Sequence, residues 1–425
     1  MLFHPRAAAH RRRVAQALLC GLLIGMVLPA FAQQSLSHSD ALRLALERSS
    51  MLQARRAATD GAAAAERSAA QLPDPRLSVG LDNLPINTAD RFSLTRDFMT
   101  QRQIGWSQEM PNNAKRQARA AAAAARTARE RAQFDTERFA VRRETSLAWI
   151  ARYFAEQRLA ALAALDAEND LLRGTVNARI AGGKAAPADA LTARQEAIAL
   201  ADRRGELERD LNKARAALRR WVGDAADEAL LGEPPAFIDH DDAAATRFDA
   251  HPELATFSPQ ADMARAEGHE LEAAKRGDWS WSVGLAKRGP AYSDMVSVQL
   301  SFELPLWARE RQDPQIEARR KEVDRIDAER EDMRRRIVGE VEALRADATE
   351  LAAKIARLQT QALPLADERV SLTLASYQAG RGELVGVLAA RKDQIETRLR
   401  LIELSAAQAQ VNAQLNSHLA KEQQP

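Results

Sequence analysis

The 425-residue sequence predicts a mainly α-helical protein that also carries membrane β-strands. Three observations lead to this fold class. The chain starts with a secretory signal, the remainder contains two similar halves, and each half places one amphipathic β-hairpin between long helices. The composition favours long helices with small interfaces, because alanine and arginine are abundant and aromatic residues make up only 5% of the chain.

The first 32 residues have the pattern of a cleaved secretory signal. Arginines at 11–13 precede an apolar run at 14–28, and the Ala-Phe-Ala at 30–32 provides a small-x-small cleavage site. The only cysteine, Cys20, lies in this segment, so we expect a mature chain without disulfides or thiolate metal sites. No later apolar stretch approaches the ~20 residues of a spanning helix, so a membrane crossing would require β-strands.

The rest of the chain contains an internal repeat. Three short segments recur in the same order at nearly one offset: 78–81 at 282–285, 107–111 at 301–305, and 183–194 at 380–391. We therefore predict a first structural repeat at 33–222 and a second at 251–425. The residues between them, 223–250, include two glycines, two adjacent prolines and an acidic run, which is typical of a linker or a short irregular element.

Each repeat is predicted to contain a helix, two strands, a very long helix, a turn and a further helix. The predicted helices are 39–71, 114–181 and 187–222 in the first repeat, and 252–276, 315–379 and 384–422 in the second. From Ile316 to Leu358 the apolar residues follow in steps of three, four and seven, which indicates long coiled-coil α-helical hairpins. In each repeat the two shorter helices together match the long one, so we expect them to stack end to end beside it. A single chain cannot bury the narrow apolar seams of these helices on all sides. The sequence therefore predicts that several copies form an oligomeric helical tunnel.

The strands indicate contact with a membrane. Apolar and polar residues alternate in two hairpins, at about 76–110 and about 278–304, so each strand has one apolar face. The predicted lipid-facing residues are Leu77, Val79, Leu81, Ile104, Trp106, Trp279, Trp281, Val283, Leu285, Val296, Val298, Leu300 and Phe302. The alternative is a soluble amphipathic hairpin that caps a helical domain. Four strands cannot close a spanning barrel, whereas two copies would supply 8 strands and three would supply 12.

Several short segments occur in a characteristic order: Leu72-Pro73-Asp74-Pro75, His251-Pro252-Glu253-Leu254, Leu363-Pro364, and then Tyr377, Gly380 and Leu388. With the duplicated layout, they resemble the TolC-like outer-membrane efflux family over essentially the whole mature chain. The Pro-Asp-Pro segment and the layout are most similar to the heavy-metal exporter branch. The resemblance implies a homotrimer in the outer membrane of a Gram-negative bacterium. It also implies that the two β-hairpins of each protomer contribute to a trimeric 12-stranded barrel, continuous with a long periplasmic helical tunnel.

The resemblance also implies a function. The protein would be the outer-membrane channel subunit of a tripartite efflux system, a passive exit duct for heavy-metal cations or drugs. An inner-membrane efflux pump and a periplasmic adaptor (membrane fusion) protein would deliver these substrates and supply the energy, so no cofactor is expected. The sequence has no nucleophile–base–acid set, which argues against an enzyme, and its mixed charges at 308–336 argue against nucleic-acid binding. The alternative function is a secreted periplasmic coiled-coil scaffold without a channel.

Two interhelical turns are the predicted functional sites at the lower end of the tunnel. The resemblance implies that they are adaptor-docking tips, although every helical hairpin needs a turn. The tip residues are Gly182, Gly183, Lys184 and Pro187 in the first repeat, and Gly380, Arg381 and Gly382 in the second. In the family, acidic residues just past the tips line the channel constriction. Asp189 has this position in the first repeat, whereas its counterpart is Gly386, which leaves Glu383 as a substitute. Alternatively, Asp189 is a solvated helix residue.

Overall fold

The computed structural model describes residues 35–183, 186–236, 248 and 251–419. The predicted signal segment at 1–32, Lys184 of the first tip and most of the predicted linker beyond residue 236 lie outside these ranges. No helix within them combines the length and the apolar character that a membrane crossing requires.

The elements follow the predicted order in both halves. The first half forms β1 (Ser35–Ser37), α1 (His38–Arg48), α2 (Ser50–Ala69), β2 (Arg76–Asp82), β3 (Gln101–Met110), α3 (Asn113–Ala181) and α4 (Pro187–Val222). A 3-10 turn (Gly223–Asp227) and β4 (Ala229–Leu231) come next. The second half forms α5 (Pro252–Ala255), α6 (Phe257–Ala274), β5 (Trp279–Lys287), β6 (Met295–Phe302), α7 (Ala308–Arg357), a π-helical turn (Leu358–Ala362), α8 (Leu363–Gln378) and α9 (Leu384–Leu419). The fold is therefore mainly helical, as predicted.

Three predicted helices are divided in the structure. Ser49 separates α1 from α2, and its hydroxyl accepts a hydrogen bond from the Leu52 amide as an N-cap. Thr256 separates α5 from α6. The third division is the π-helical turn before α8, where Pro364 has no amide to donate to the carbonyl one turn earlier. The first division reflects a local cap and the third a proline, which the apolar periodicity does not report.

The long helices lie side by side in a fixed order. Near the β-strands this order is α2, α3, α6, α7, and toward the opposite end it is α4, α3, α9, α8. Short helices therefore stack along long ones: Arg55 of α2 hydrogen-bonds Gln133 in the first part of α3, and Leu200 of α4 packs on Leu162 farther along α3. One copy is consequently a helical wall with two lateral edges, α2 and α4 on one side and α7 and α8 on the other.

A buried core at the middle of the wall joins β1 to the segment that directly follows α4. β1 and β4 form a parallel pair that the sequence did not predict, since three-residue strands are too short to show a period. Trp149, Ile150 and Leu218 pack beneath them. Arg152, only 1% exposed, donates hydrogen bonds of 2.6 Å to the carbonyls of Ala226 and Glu228. These bonds anchor β4 to α3, because a buried guanidinium requires such partners.

The two hairpins combine into one four-stranded antiparallel sheet with the order β2–β3–β5–β6. The hairpins are joined where β3 pairs with β5, from Arg102 opposite Lys287 to Met110 opposite Trp279. The outer strands of the sheet follow the edges of the wall, because β2 comes directly after α2 and β6 directly precedes α7.

Candidate channel-forming surfaces

One face of the sheet carries all the residues predicted to face lipid. The register aligns them in rows across the four strands: Leu77–Trp106–Val283–Val298 and Val79–Ile104–Leu285–Val296, with Trp281–Leu300 and Trp279–Phe302 toward the helices. Most are exposed, and Val79 reaches 79%. At the far end, the row that contains Leu81 also contains Arg102 and Lys287, so charge limits the apolar band there. The alternating sequence therefore produces a continuous apolar band on an isolated copy.

The opposite face of the sheet is polar and closely packed. One row reads Ser78–Gly105–Gly284–Ser297. A Cβ atom at Gly105 would lie 2.6 Å from the Ser78 hydroxyl, and one at Gly284 would lie 2.8 Å from the Ser297 hydroxyl. Glycine in the central strands thus makes room for serine in the outer ones. This face of the sheet therefore carries small and polar side chains, in contrast to the apolar face.

The junction between sheet and helices is built from polar contacts that the sequence did not predict. Asp278, just before β5, accepts hydrogen bonds from the Asn112 amide at 3.0 Å and from the Lys115 ammonium at 2.6 Å. The Asn112 side chain also caps α3 by accepting from the Lys115 amide at 2.9 Å. Next to it, Gly277 has φ +66°, and a Cβ atom there would lie 2.1 Å from the Glu303 carbonyl oxygen. These contacts tie the start of α3 to the start of β5.

The two predicted tips are tight turns that depend on glycine. Gly183 has φ +65° and Gly380 has φ +75°, a left-handed conformation in which glycine avoids strain. Pro187 is the first residue of α4, where its missing amide costs nothing. Gly382 approaches the end of α8 so closely that a Cβ atom would lie 2.9 Å from the Ser376 hydroxyl. Arg381 is exposed at the same turn.

The acidic residues proposed for the constriction differ in their surroundings. Asp189 is half-buried in the first turn of α4, and its carboxylate accepts a hydrogen bond from the Ala186 amide at 3.3 Å. Asp189 therefore caps the first turn of α4, and its position in a constriction stays a prediction. Glu383 is exposed beside the second tip, and Gly386 is exposed with open space around it.

A contact between the two helical hairpins places both tips at the same end of the wall. Arg179 of α3 donates a 3.1 Å hydrogen bond to the Tyr377 carbonyl, and its guanidinium lies 4.2 Å from the centre of the Tyr377 ring. Val176 and Leu384 pack beside them in a buried apolar cluster. The sequence indicates Tyr377 only through the family resemblance and does not indicate Arg179, because no local pattern reports a contact between residues 198 positions apart.

The described residues contain no group of three or more His, Cys, Asp or Glu side chains placed to hold a metal ion. The candidate functional surfaces of one copy are therefore the apolar face of the sheet, the two lateral edges of the wall and the two tips.

Comparisons with known proteins agree with this geometry. Residues 269–421, less than half of the chain, match the family model described as Outer membrane efflux protein. None of the curated proteins matches the chain. Among solved structures, the outer membrane protein VceC of Vibrio cholerae is 16% identical, with a TM-score of 0.74, over 90% of this chain and 95% of that one.

Two further structures share the fold. The CmeC outer membrane channel of Campylobacter jejuni is 12% identical, with a TM-score of 0.75, over 91% of this chain and 87% of its own. CusC, described as forming a transmembrane channel, is 18% identical, with a TM-score of 0.67, over 90% of this chain and 91% of its own. The second half of this chain therefore matches the outer membrane efflux protein family, and the described chain has the fold of outer-membrane channels.

Proposed function

We propose that this protein is the outer-membrane channel subunit of a tripartite efflux system in a Gram-negative bacterium. The observation that carries the proposal is the open wall formed by one copy. Within the described residues, β2 and β6 each pair with one neighbouring strand only. β2 directly follows the edge helix α2, and β6 directly precedes the edge helix α7. An apolar sheet with open edges is unstable in lipid, because its backbone amides and carbonyls would lack partners.

If one edge of each copy joined the opposite edge of the next copy, the sheet and the helical wall would both close into a ring. Three copies, the number that the resemblance implies, would form a barrel of 12 strands, within the range of known spanning barrels. The rows around Val79 and Val298 would contact outer-membrane lipid, and the serine–glycine row would face the interior. The helical wall would continue as a tunnel through the periplasm.

The tips at the far end of the tunnel are the proposed docking site for a periplasmic adaptor protein and its inner-membrane pump. Gly182, Gly183, Pro187, Gly380 and Gly382 would shape the turns, and Asp189 with Glu383 would line the constriction. The duct is passive, so the pump would select the substrates, either heavy-metal cations or drugs. The heavy-metal branch is favoured by the resemblance of the Pro-Asp-Pro segment at 73–75.

Charges placed on the apolar face of the sheet test the proposal. We expect the double variant Val298→Lys/Leu300→Lys to be lost from the outer-membrane fraction, because each lysine at the middle of the bilayer costs about 2–4 kcal/mol. The matched control is Gln299→Lys, which adds a lysine to the same strand on the polar face. The readouts are membrane fractionation and the mass of the detergent-extracted protein. A double variant that remains in the outer membrane as a trimer, or a wild-type protein recovered as a soluble monomer, would favour the scaffold alternative.

A further inference from the structure

The far half of the wall exposes apolar side chains on both of its lateral edges. Leu191 and Ile198 of α4 are 61% and 64% exposed, whereas the opposite face of α4 is buried against α3. On the other edge, Leu365 and Leu372 of α8 are 65% and 63% exposed. Each pair is separated by seven residues, or two helical turns, so each forms a short stripe along its helix.

The two stripes lie at matching heights. Leu191 and Ile198 follow the tip residue Gly183 by 8 and 15 positions, while Leu372 and Leu365 precede the tip residue Gly380 by 8 and 15 positions. Counted within the helices, Leu191 and Ile198 lie 4 and 11 residues after the first residue of α4, and Leu372 and Leu365 lie 6 and 13 residues before the last residue of α8. At the usual rise per residue, each matched pair therefore differs in height by about 3 Å, against about 10 Å between layers. Because α4 leads away from its tip and α8 leads toward its own, the two helices are antiparallel, and the stripes of two neighbouring copies would face each other layer by layer.

A third layer continues the match. Gly205 of α4 and Leu358 of the π-helical turn each lie 22 positions from their tip glycines. Gly205 has open space around it, whereas Leu358 lines a groove of about 430 Å³ between the π-helical turn and α9. A helix with glycine at this level can approach the groove closely, since no side chain separates the two backbones.

The charges beside the stripes are complementary. Lys354, Arg357 and Arg400 border the groove. On α4, Asp202 and Glu206 are exposed, one and two turns beyond Ile198. They lie 19 and 23 positions from Gly183, level with Arg400 at 20 and Arg357 at 23 positions from Gly380. Acids on one edge would therefore meet bases on the other at the same height.

We propose that α4 of one copy packs against α8 and the π-helical turn of the next copy in three layers: Leu191 on Leu372, Ile198 on Leu365, and Gly205 on Leu358. The occupant of each edge is a second copy of this chain, because the two edges match each other in spacing, height and charge. The inference rests on the proposed ring of copies and assigns the residues that join it near the tips.

Cysteine pairs test these layers in a chain whose only natural cysteine, Cys20, lies in the predicted signal segment. Under mild oxidation of the full protein in membranes, Ile198→Cys/Leu365→Cys should produce covalently linked dimers and trimers on a denaturing gel without reductant. The pair Leu191→Cys/Leu372→Cys should do the same. The mismatched control Leu191→Cys/Leu365→Cys is displaced by one layer, about 10 Å, which exceeds the Cα separation that a disulfide spans. We expect it to give about tenfold less linked product.

The outcomes separate this inference from the proposed function. Protein that is trimeric by mass but gives no intermolecular link with the matched pairs would overturn the layers and leave the channel proposal standing. The layers would also be overturned if matched and mismatched pairs linked equally, or if the disulfides formed only within single chains and the protein migrated as a monomer. A soluble monomeric protein would overturn both proposals.

Discussion

At the scale of single residues, a buried histidine pair holds the start of the second half against the end of α9. His251 and His418 are 3% and 8% exposed, and Nε2 of His251 lies 3.1 Å from Nδ1 of His418. The Glu253 amide donates to Nδ1 of His251, so this ring must carry its proton on Nε2 and donate it to His418. Nε2 of His418 then faces the Glu340 carboxylate at 3.7 Å. The hydrogen bond between the two rings and the one from the Glu253 amide form only when both rings are neutral.

This pair predicts a loss of stability on mild acidification. Burial, followed by the charges of His418 and Arg143, lowers the pKa of His251 to about 4, and burial also lowers the pKa of His418 despite Glu340 and Glu253 nearby. The folded pKa lies below the unfolded value of 6.5, so the unfolded chain binds more protons between pH 6.5 and pH 4. The stability that this pair contributes is therefore fully present above pH 6.5 and decreases as the pH falls through this window.

Thermal unfolding of the detergent-extracted protein at pH 7.5 and pH 5 measures the effect. We expect acidification to cost on the order of 2 kcal/mol through this pair. The double variant His251→Asn/His418→Gln, which cannot titrate, should be less stable at pH 7.5 but should lose less on acidification. An equal pH dependence in the variant and the wild type would show that other groups cause the loss.

At the scale of elements, the sequence predicted what depends on local periodicity and local chemistry. The bounds of α4, 187–222, were predicted correctly because Pro187 opens the helix and Gly223, with φ +69°, ends it. The strands of both hairpins were found because alternation needs only neighbouring residues. The pairing of β3 with β5 and the contact between Arg179 and Tyr377 were not predicted, because they join distant residues whose approach depends on the whole packing.

The turn that leads into β5 provides a test at this scale. Gly277→Ala should lower the melting temperature of the assembled protein, because alanine is strained at φ +66° and its Cβ would contact the Glu303 carbonyl. We expect a cost of about 1–3 kcal/mol. The matched control is Gly339→Ala in the middle of α7, where the added methyl group meets no atom within 4 Å. That change should stabilise the helix by about 0.5–1 kcal/mol. A Gly277→Ala protein as stable as the control would mean that the turn can relax.

At the scale of the whole molecule, both halves have the same architecture, but the acidic residue has a different position in each tip. The first tip presents Asp189 at the start of α4, and the second presents Glu383 before α9, with Gly386 at the position equivalent to Asp189. A ring of three copies would repeat each acid three times around one axis. Rings of carboxylates favour cations in a pore, so the proposed constriction predicts a channel that prefers cations.

Conductance of the purified protein in planar bilayers tests this prediction. Asp189→Asn should lower the cation-to-anion permeability ratio about two- to threefold, and Glu383→Gln should lower it too if this acid also lines the pore. Asp170→Asn, which removes an exposed acid farther along α3, is the matched control and should leave the ratio nearly unchanged. Gly386→Asp should raise the ratio, because the site is open and the first turn of a helix stabilises an acid. If none of the tip variants changes the ratio, the narrowest part of the pore lies away from the tips, and Asp189 is only a helix cap.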